Sequence, residues 1–131
     1  MAEAFEISDV IPGTPRQIYE AWLSSKGHTE MTGGPAEVSP SVGGKFSTFG
    51  GVIFGENLEL EPNSRIVQSW RAEGFPEGSP DSRLEVLLED VEGSTKVTIR
   101  HSNIPDGQAE GYNKGWQDHY YQPMKEYFGK S

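Results

Sequence analysis

The sequence has no cysteine, few basic residues and no long apolar run. Without cysteine neither a disulfide framework nor a thiolate site can form, which is typical of a reducing compartment. Eleven Lys and Arg against twenty Asp and Glu give a net charge of −9, the wrong sign for binding nucleic acid or an anionic membrane. No run approaches the ~18 apolar residues of a membrane span, and the N-terminus lacks signal-peptide character. We therefore expect a cytoplasmic protein that binds neither nucleic acid nor membrane.

Aromatic side chains are the main source of buried area in this chain. Only 34% of its 131 residues are apolar, but each aromatic ring can bury ~150–250 Å². There are three Trp, five Tyr and six Phe. The length is typical of one domain, and no repeat or linker divides the sequence. We expect residues 1–131 to form a single domain.

The N-terminal part predicts a strand followed by two short helices. Residues 4–11 roughly alternate between apolar and polar, as strands do. Thr14 and Gln17 flank Pro15 in the pattern of a helix capping box, so a helix begins there. A second short helix follows over residues 24–31. Helices this short need a sheet to pack on.

The remainder predicts several strands and a long terminal helix. Residues 36–103 are β segments separated by turns, interrupted by a polar loop over 73–81 that we expect to be mobile. Beyond Gly107, large apolar side chains recur at four-residue spacing: Tyr112, Trp116, Tyr120 and Met124. Pro123 lies within this helix and removes the hydrogen bond to the His119 carbonyl, which predicts a kink. The fold class is therefore α+β, with an antiparallel sheet around the terminal helix.

Polar side chains are predicted on the inner face of the sheet. Side chains alternate along a strand, and the apolar positions of residues 52–60 are the even ones, which include Glu56. The same parity argument places Gln68 and His101 inside. Buried polar groups must pair, bind water or line a cavity. One hypothesis is a ligand cavity, with Trp70, Tyr112 and Trp116 as apolar walls; the alternative is that the polar side chains only pair with one another.

Metal and hydrolase chemistry find no support in the sequence. His28, His101 and His119 lie on different elements, without the i,i+3 or i,i+4 spacing of ligand pairs. The strained G-x-S-x-G turn of a serine hydrolase does not occur. We predict no metal, no cofactor and no catalytic triad.

Three stretches resemble one family, the homologues of the activator of heat-shock-protein-90 ATPase. They comprise Ile18–Trp22 with Gly34–Val38 and Val42–Phe46, then Gly55–Glu56 with Leu60–Pro62 and Arg65–Trp70, and lastly His101, Ile104–Pro105 and Gly115–Trp116. The resemblance covers nearly the whole chain. It implies a START-like, pollen-allergen-like helix-grip (SRPBCC) fold, in which an antiparallel sheet of six or seven strands grips a long C-terminal helix. Two short helices close one end.

The resemblance leaves several functions open. Eukaryotic co-chaperones of this kind join such a domain to an N-terminal domain that makes major chaperone contacts, for which 131 residues leave no room. Phe75–Gly78 and Gly115–Tyr121 resemble the co-chaperone's C-terminal domain, so heat-shock protein 90 is a candidate partner. Other helix-grip proteins, such as polyketide cyclases, are enzymes, and a desolvated Glu56 with His101 could do acid–base work here.

Our leading hypothesis from the sequence is a non-catalytic domain that binds a small hydrophobic or amphipathic molecule between sheet and terminal helix. Its predicted ligand-binding residues are Glu56, Gln68, Trp70, His101, Tyr112 and Trp116. The first alternative is a co-chaperone-type interaction module, and the second is a cyclase or dehydratase using Glu56 and His101. The protein is expected to be a monomer or a homodimer, because exposed aromatic side chains on the terminal helix would favour dimerisation.

Overall fold

The computed structural model describes residues 2–129. Within that range the strands are β1 (Glu3–Ile11), β2 (Ala36–Val38), β3 (Lys45–Thr48), β4 (Ile53–Glu61), β5 (Arg65–Ala72), β6 (Ser82–Val91) and β7 (Ser94–Ile104). The helices are α1 (Pro15–Trp22), α2 (Ser25–Thr32), α3 (Ala109–Trp116) and α4 (Gln122–Gly129), with a π turn over Gln117–Tyr121 between the last two. The described strands form one antiparallel sheet in the order β1-β7-β6-β5-β4-β3-β2. The predicted fold class and element order are confirmed.

The first helix begins with the predicted capping box. Thr14 Oγ1 accepts a hydrogen bond from the Gln17 backbone N–H at 3.2 Å, and Gln17 Oε1 accepts one from the Thr14 N–H at 2.9 Å. These bonds satisfy N–H groups that a helix start would otherwise leave without partners. Ile18 and Trp22 are buried on the inner side of α1. The short helix is thus fixed by its cap and by two core side chains.

A β-bulge shifts the side-chain alternation of β4. Asn57 is opposite Gln68 and Glu59 is opposite Val67, so Leu58 is an extra residue on the β4 side. An extra residue reverses the parity of everything that follows it. Positions before Leu58 therefore have the opposite orientation from the one that the even-numbered pattern predicts.

The inward orientation predicted for Glu56 is wrong for this reason. Glu56 is exposed, and the next residue, Asn57, is buried on the inner face with 1% of its surface accessible. Phe54, another even position, is also exposed, at 44%. Leu60, beyond the bulge, follows the predicted parity and packs against the core.

The terminal helix runs from α3 through the π turn into α4. The Gln122 N–H bonds to the Gln117 carbonyl five residues back, one residue before Pro123. The irregularity expected from the proline therefore takes the form of a wider turn preceding it. This turn brings Tyr120 and Tyr121 into the core together, at 4% and 3% exposed.

The core lies between the inner face of the sheet and the terminal helix. It contains Ile66, Trp70, Leu84, Val86 and Ile99 from the strands and Trp116, Tyr120 and Met124 from the helix. The loop over 73–81, expected to be mobile, is anchored to this core. Phe75 is buried, and Arg71 donates hydrogen bonds to the carbonyls of Pro76 and Ser79 at 3.1 and 2.6 Å.

Candidate functional site

A cleft of about 340 Å³ opens between the sheet and the terminal helix. The lining residues from the sheet side are Phe49, Val52, Ile53 and Trp70, and those from the helix are Gly111, Tyr112, Gly115, Trp116, His119 and Tyr120. The term cleft refers to the space between these ten residues. Three of the six predicted ligand-binding residues line it, namely Trp70, Tyr112 and Trp116. Their binding role itself stays a prediction.

Two glycines form part of the helix wall of the cleft. Gly111 and Gly115 are one helical turn apart, so they share a face of α3. A Cβ atom added to Gly111 would meet nothing within 4 Å, and one added to Gly115 would meet only His119 Cδ2, at 4.0 Å. The cleft therefore exists in part because these positions carry no side chain.

Phe49 forms the opposite lip and has a strained backbone. It has a φ of 54°, in the left-handed region that bulky residues rarely adopt, and Gly50 and Gly51 follow at 73° and 93°. Its ring packs at 6.0 Å from Tyr120 and 6.1 Å from His119, centroid to centroid. Strained residues persist where surrounding packing fixes them. The aromatic contacts hold Phe49 over the cleft.

The inner end of the cleft is closed by an aromatic cluster. Trp70, Phe75 and Tyr112 have ring centroids 5.0 to 6.0 Å apart. The Tyr112 hydroxyl donates to Gln108 Oε1 at 2.7 Å, and this bond fixes the orientation of the Tyr112 ring. Burial raises the pKa of Tyr112, so its phenol is neutral at ordinary pH.

His101 lies behind the walls of the cleft and is fully buried. The Trp116 indole can only donate, so its 3.1 Å bond makes His101 Nδ1 the acceptor. Nε2 then carries the proton and donates to Ser82 Oγ at 2.8 Å, while Ser82 donates to the Trp70 carbonyl at 2.6 Å. Both ring nitrogens are thus occupied. Desolvation lowers the pKa of His101 to about 3, and the ring positions Trp70 and Trp116 rather than facing a ligand.

A second buried histidine was not predicted as part of the site. His28 Nδ1 lies 2.9 Å from the Trp22 carbonyl and must donate to it, so Nε2 accepts from the Tyr120 hydroxyl at 2.7 Å. Burial lowers the pKa of His28 to about 4, although the bond to the Trp22 carbonyl opposes this shift. The histidine fixes the Tyr120 ring in the cleft floor. Nothing in the spacing of His28 and Tyr120 along the sequence signals this contact.

The other predicted polar residues are not brought to the cleft. Gln68 is buried and donates from Nε2 to Asn57 Oδ1 at 2.9 Å. Asn57 in turn donates from Nδ2 to the carbonyls of Ser39 and Ser41 at 2.7 and 3.0 Å. This amide pair ties the β2–β3 connection to β5. Glu56 lies on the far side of the sheet, so the structure separates it from both Gln68 and His101.

The described residues contain no cluster of three or more His, Asp or Glu side chains that could hold a metal ion. In the same range, no helix has the length and apolar character needed to span a bilayer. The hydroxyl of Thr48 lies beside the cleft and is buried, at 2% exposed. It interacts with the Tyr120 phenol and opposes the rise in the pKa of Tyr120 that burial causes.

The family model described as activator of Hsp90 ATPase homolog 1-like protein matches residues 12–129. This chain belongs to that family. The human activator of 90 kDa heat shock protein ATPase homolog 1 is 29% identical over 116 residues, which is 88% of this chain and 34% of that protein. A homologue from Dictyostelium discoideum is 29% identical over 118 residues, or 90% of this chain and 31% of that protein. The chain thus spans about a third of the length of these family members.

Solved structures related to this activator family share the fold. The crystal structure of an HSP90 activator from Plasmodium falciparum has a TM-score of 0.87 and 30% identity, covering 96% of both chains. The solution structure of the Aha1 dimer from Colwellia psychrerythraea has a TM-score of 0.80 and 22% identity, covering 98% of this chain and 99% of that chain. At the latter identity the likeness establishes the fold alone. The family resemblance predicted from the sequence is confirmed.

Proposed function

We propose that this chain is a co-chaperone-type module that binds an Hsp90-type chaperone. The observation that carries the proposal is its 30% identity to the Plasmodium HSP90 activator over 96% of both chains. The family match over residues 12–129 supports the same function. Because the chain spans about a third of its curated relatives, the proposal concerns binding and does not extend to stimulating the ATPase.

Exposed apolar side chains on the outer side of β4 support a protein contact there. Phe54 and Leu58 are 44% and 43% exposed. Phe54 lies on the convex face between Ser47 of β3 and Arg71 of β5. Neighbouring exposed apolar side chains are typical of protein-binding surfaces. Large aromatic residues also contribute much of the binding energy in such contacts.

The test is a titration of the purified Hsp90 chaperone with this chain, by isothermal calorimetry, with and without ATP. Phe54→Ser should weaken binding about tenfold, or about 1.4 kcal/mol. Val91→Ser is the matched control, because Val91 is 38% exposed but lies at the β6–β7 hairpin, away from β4. No heat of binding from the wild-type chain at about 100 μM would overturn the proposal.

As a second function, we propose that the cleft binds a small apolar molecule. The observation that favours it is an aromatic-lined volume of about 340 Å³, within the range of small-molecule sites. Trp70, Tyr112 and Trp116 are among the residues that line it. The polar orienting role proposed for Glu56, Gln68 and His101 is not carried forward, because none of the three lines the cleft.

Native mass spectrometry of freshly purified protein tests this second function. The expected spectrum shows the chain with an additional small mass that is lost after unfolding and refolding. The refolded sample is the control for nonspecific adducts. Identical bare-chain masses in both samples, together with no binding of an added apolar probe, would overturn the proposal.

The acid–base hypothesis for Glu56 and His101 is wrong in its geometry. Glu56 is exposed on the convex face, whereas His101 is fully buried on the concave face with both nitrogens hydrogen-bonded. A general acid and base must reach the same substrate. The sheet separates these two side chains.

A further inference from the structure

Part of the helix wall of the cleft is bare backbone. Gly111 and Gly115 present peptide groups instead of side chains, and a Cβ atom at Gly111 would find open space. Across the cleft lie Phe49, Val52 and Ile53. The stretch of wall at the two glycines, facing a lip that carries an aromatic ring, leaves a slot suited to a flat molecule.

The size of the cleft favours a compact occupant. Its volume of about 340 Å³ is near the lower end of the ~300–1,000 Å³ found for ligand sites. The Trp70, Phe75 and Tyr112 rings close the inner end. A long acyl chain would have to displace this packed cluster, whereas two fused rings need only the open part.

The lining favours a neutral molecule. Among the described residues that line the cleft there is no Asp, Glu, Lys or Arg, so an ionic group would be buried without a partner, which is costly. The net charge of −9 further disfavours an anion. Among the lining residues His119 is exposed and carries a polar ring. A single hydroxyl or carbonyl group on the ligand could bond to it.

We infer that the cleft is a binding slot for a neutral, planar aromatic molecule of about two fused rings with one hydroxyl or carbonyl group. Its rings stack between the Gly111–Gly115 backbone and the Phe49 lip, above Trp116 and Tyr120. The inference rests on the second proposed function and adds the chemical class of the ligand. It is independent of the chaperone contact, which uses the convex side of β4.

Two probes of equal carbon number test the class. We would titrate ¹⁵N-labelled protein with 2-naphthol, which is planar and bicyclic, and with 1-decanol, which is flexible, following the amide signals of Gly111 and Gly115. Both compounds are neutral and carry one hydroxyl. The expected result is at least tenfold tighter binding of 2-naphthol, with the largest shifts at these two glycines.

Glycine substitutions provide matched variants. Gly111→Leu should weaken 2-naphthol binding at least tenfold by filling the slot, while its thermal midpoint stays equal or rises, because leucine favours helix more than glycine. Gly74→Leu is the control, since a Cβ atom there also meets nothing within 4 Å but Gly74 lies outside the cleft. Its 2-naphthol affinity should equal that of the wild-type chain.

Each contrary outcome has a distinct meaning. If 1-decanol binds at the two glycines as tightly as 2-naphthol, the planar aromatic class is overturned and the small-molecule function survives. If Gly111→Leu binds 2-naphthol like the wild-type chain, the slot is overturned. If neither probe moves the two glycine signals, both this inference and the second proposed function fail.

Discussion

The concave and convex sides of the sheet hold their polar side chains by different means. On the concave side His101, Gln68 and Asn57 are uncharged, buried and linked by hydrogen bonds to fixed partners. On the convex side Arg65 bonds to three carboxylates at 2.6 to 3.0 Å, those of Glu59, Glu61 and Glu85. The stability that the concave side contributes should therefore depend on pH and on the shape of its side chains. The stability that the convex side contributes should depend on salt concentration.

The difference explains where ligand chemistry can occur. Neutral groups can be buried where their donors meet acceptors, and the hydrogen bonds of His28 and His101 position Tyr120 and Trp116 beside the cleft. Most of the charged groups on the convex side are near water, as Glu59 and Glu61 are, and pairing there is weak; Glu85 is the buried exception. Selectivity at the proposed cleft site would therefore come from shape, whereas the outer face exposes charge and a few apolar side chains.

Acid should have the largest effect, and it acts on the concave side. The pKa values of His28 and His101 in the folded chain, about 4 and about 3, lie below the ordinary value of 6.5. As the pH falls below about 6.5 the unfolded chain therefore binds protons that the folded chain does not. The contribution of the two histidines to the free energy of unfolding is fully present above that pH. At about pH 5 the free energy of unfolding should be lower by roughly 2 kcal/mol per histidine.

Urea unfolding at about pH 7.5 and about pH 5 measures this loss while most carboxylates remain ionised. His101→Gln should remove the contribution of one histidine to the pH dependence of the unfolding free energy. The variant should be less stable than the wild-type chain at both pH values. Asn57→Ala is the control, because it lowers stability without removing a titratable group and should leave the pH dependence unchanged. An unfolding free energy that does not vary between the two pH values would contradict the assignment of neutral buried histidines.

The next largest effect separates two adjacent residues of β4. Asn57→Ala removes one bond from Gln68 and two to the carbonyls of Ser39 and Ser41, leaving buried groups without partners at a cost of roughly 3 kcal/mol. Glu56→Ala changes an exposed side chain and should cost less than about 0.5 kcal/mol. Chemical denaturation of both variants checks the bulge. The opposite ranking would restore the orientation that the even-numbered pattern predicts.

The bulge also marks the limit of what the sequence could predict. Alternation, capping and spacing were sufficient for the order of elements, the capping box and the walls Trp70 and Trp116, because each depends on local periodicity. Glu56 was misplaced because the extra residue at Leu58 reverses the parity. Gly55 is the nearest local signal, since a glycine inside a strand marks either a bulge or a close backbone approach. Here it marks the second, because a Cβ atom on Gly55 would lie 1.9 Å from the Ser69 carbonyl oxygen, and the bulge comes between Asn57 and Glu59.

The contact between His28 and Tyr120 could not be predicted in the same way. The two residues are 92 positions apart, and each alone matches an ordinary helix position. Their bond depends on how α2 packs against the π turn, which is a tertiary property. The glycine wall had a weak local signal, since two glycines one turn apart in a helix cost stability and usually have a packing or functional reason.

The smallest effect should come from the convex side. Burial alone would raise the pKa of Glu85, but its hydrogen bond with Arg65 and the charges of Arg65, Arg100 and Arg83 outweigh burial and lower it. Glu85 is buried, but glutamine keeps its shape, and Arg65 keeps Glu59 and Glu61 as partners. Glu85→Gln should therefore cost about 1 kcal/mol, and salt at about 1 M should reduce the difference from the wild-type chain. The Asn57→Ala deficit should persist in the same salt because it involves no charge. If salt reduces both deficits or neither, the two faces are not stabilised by different means.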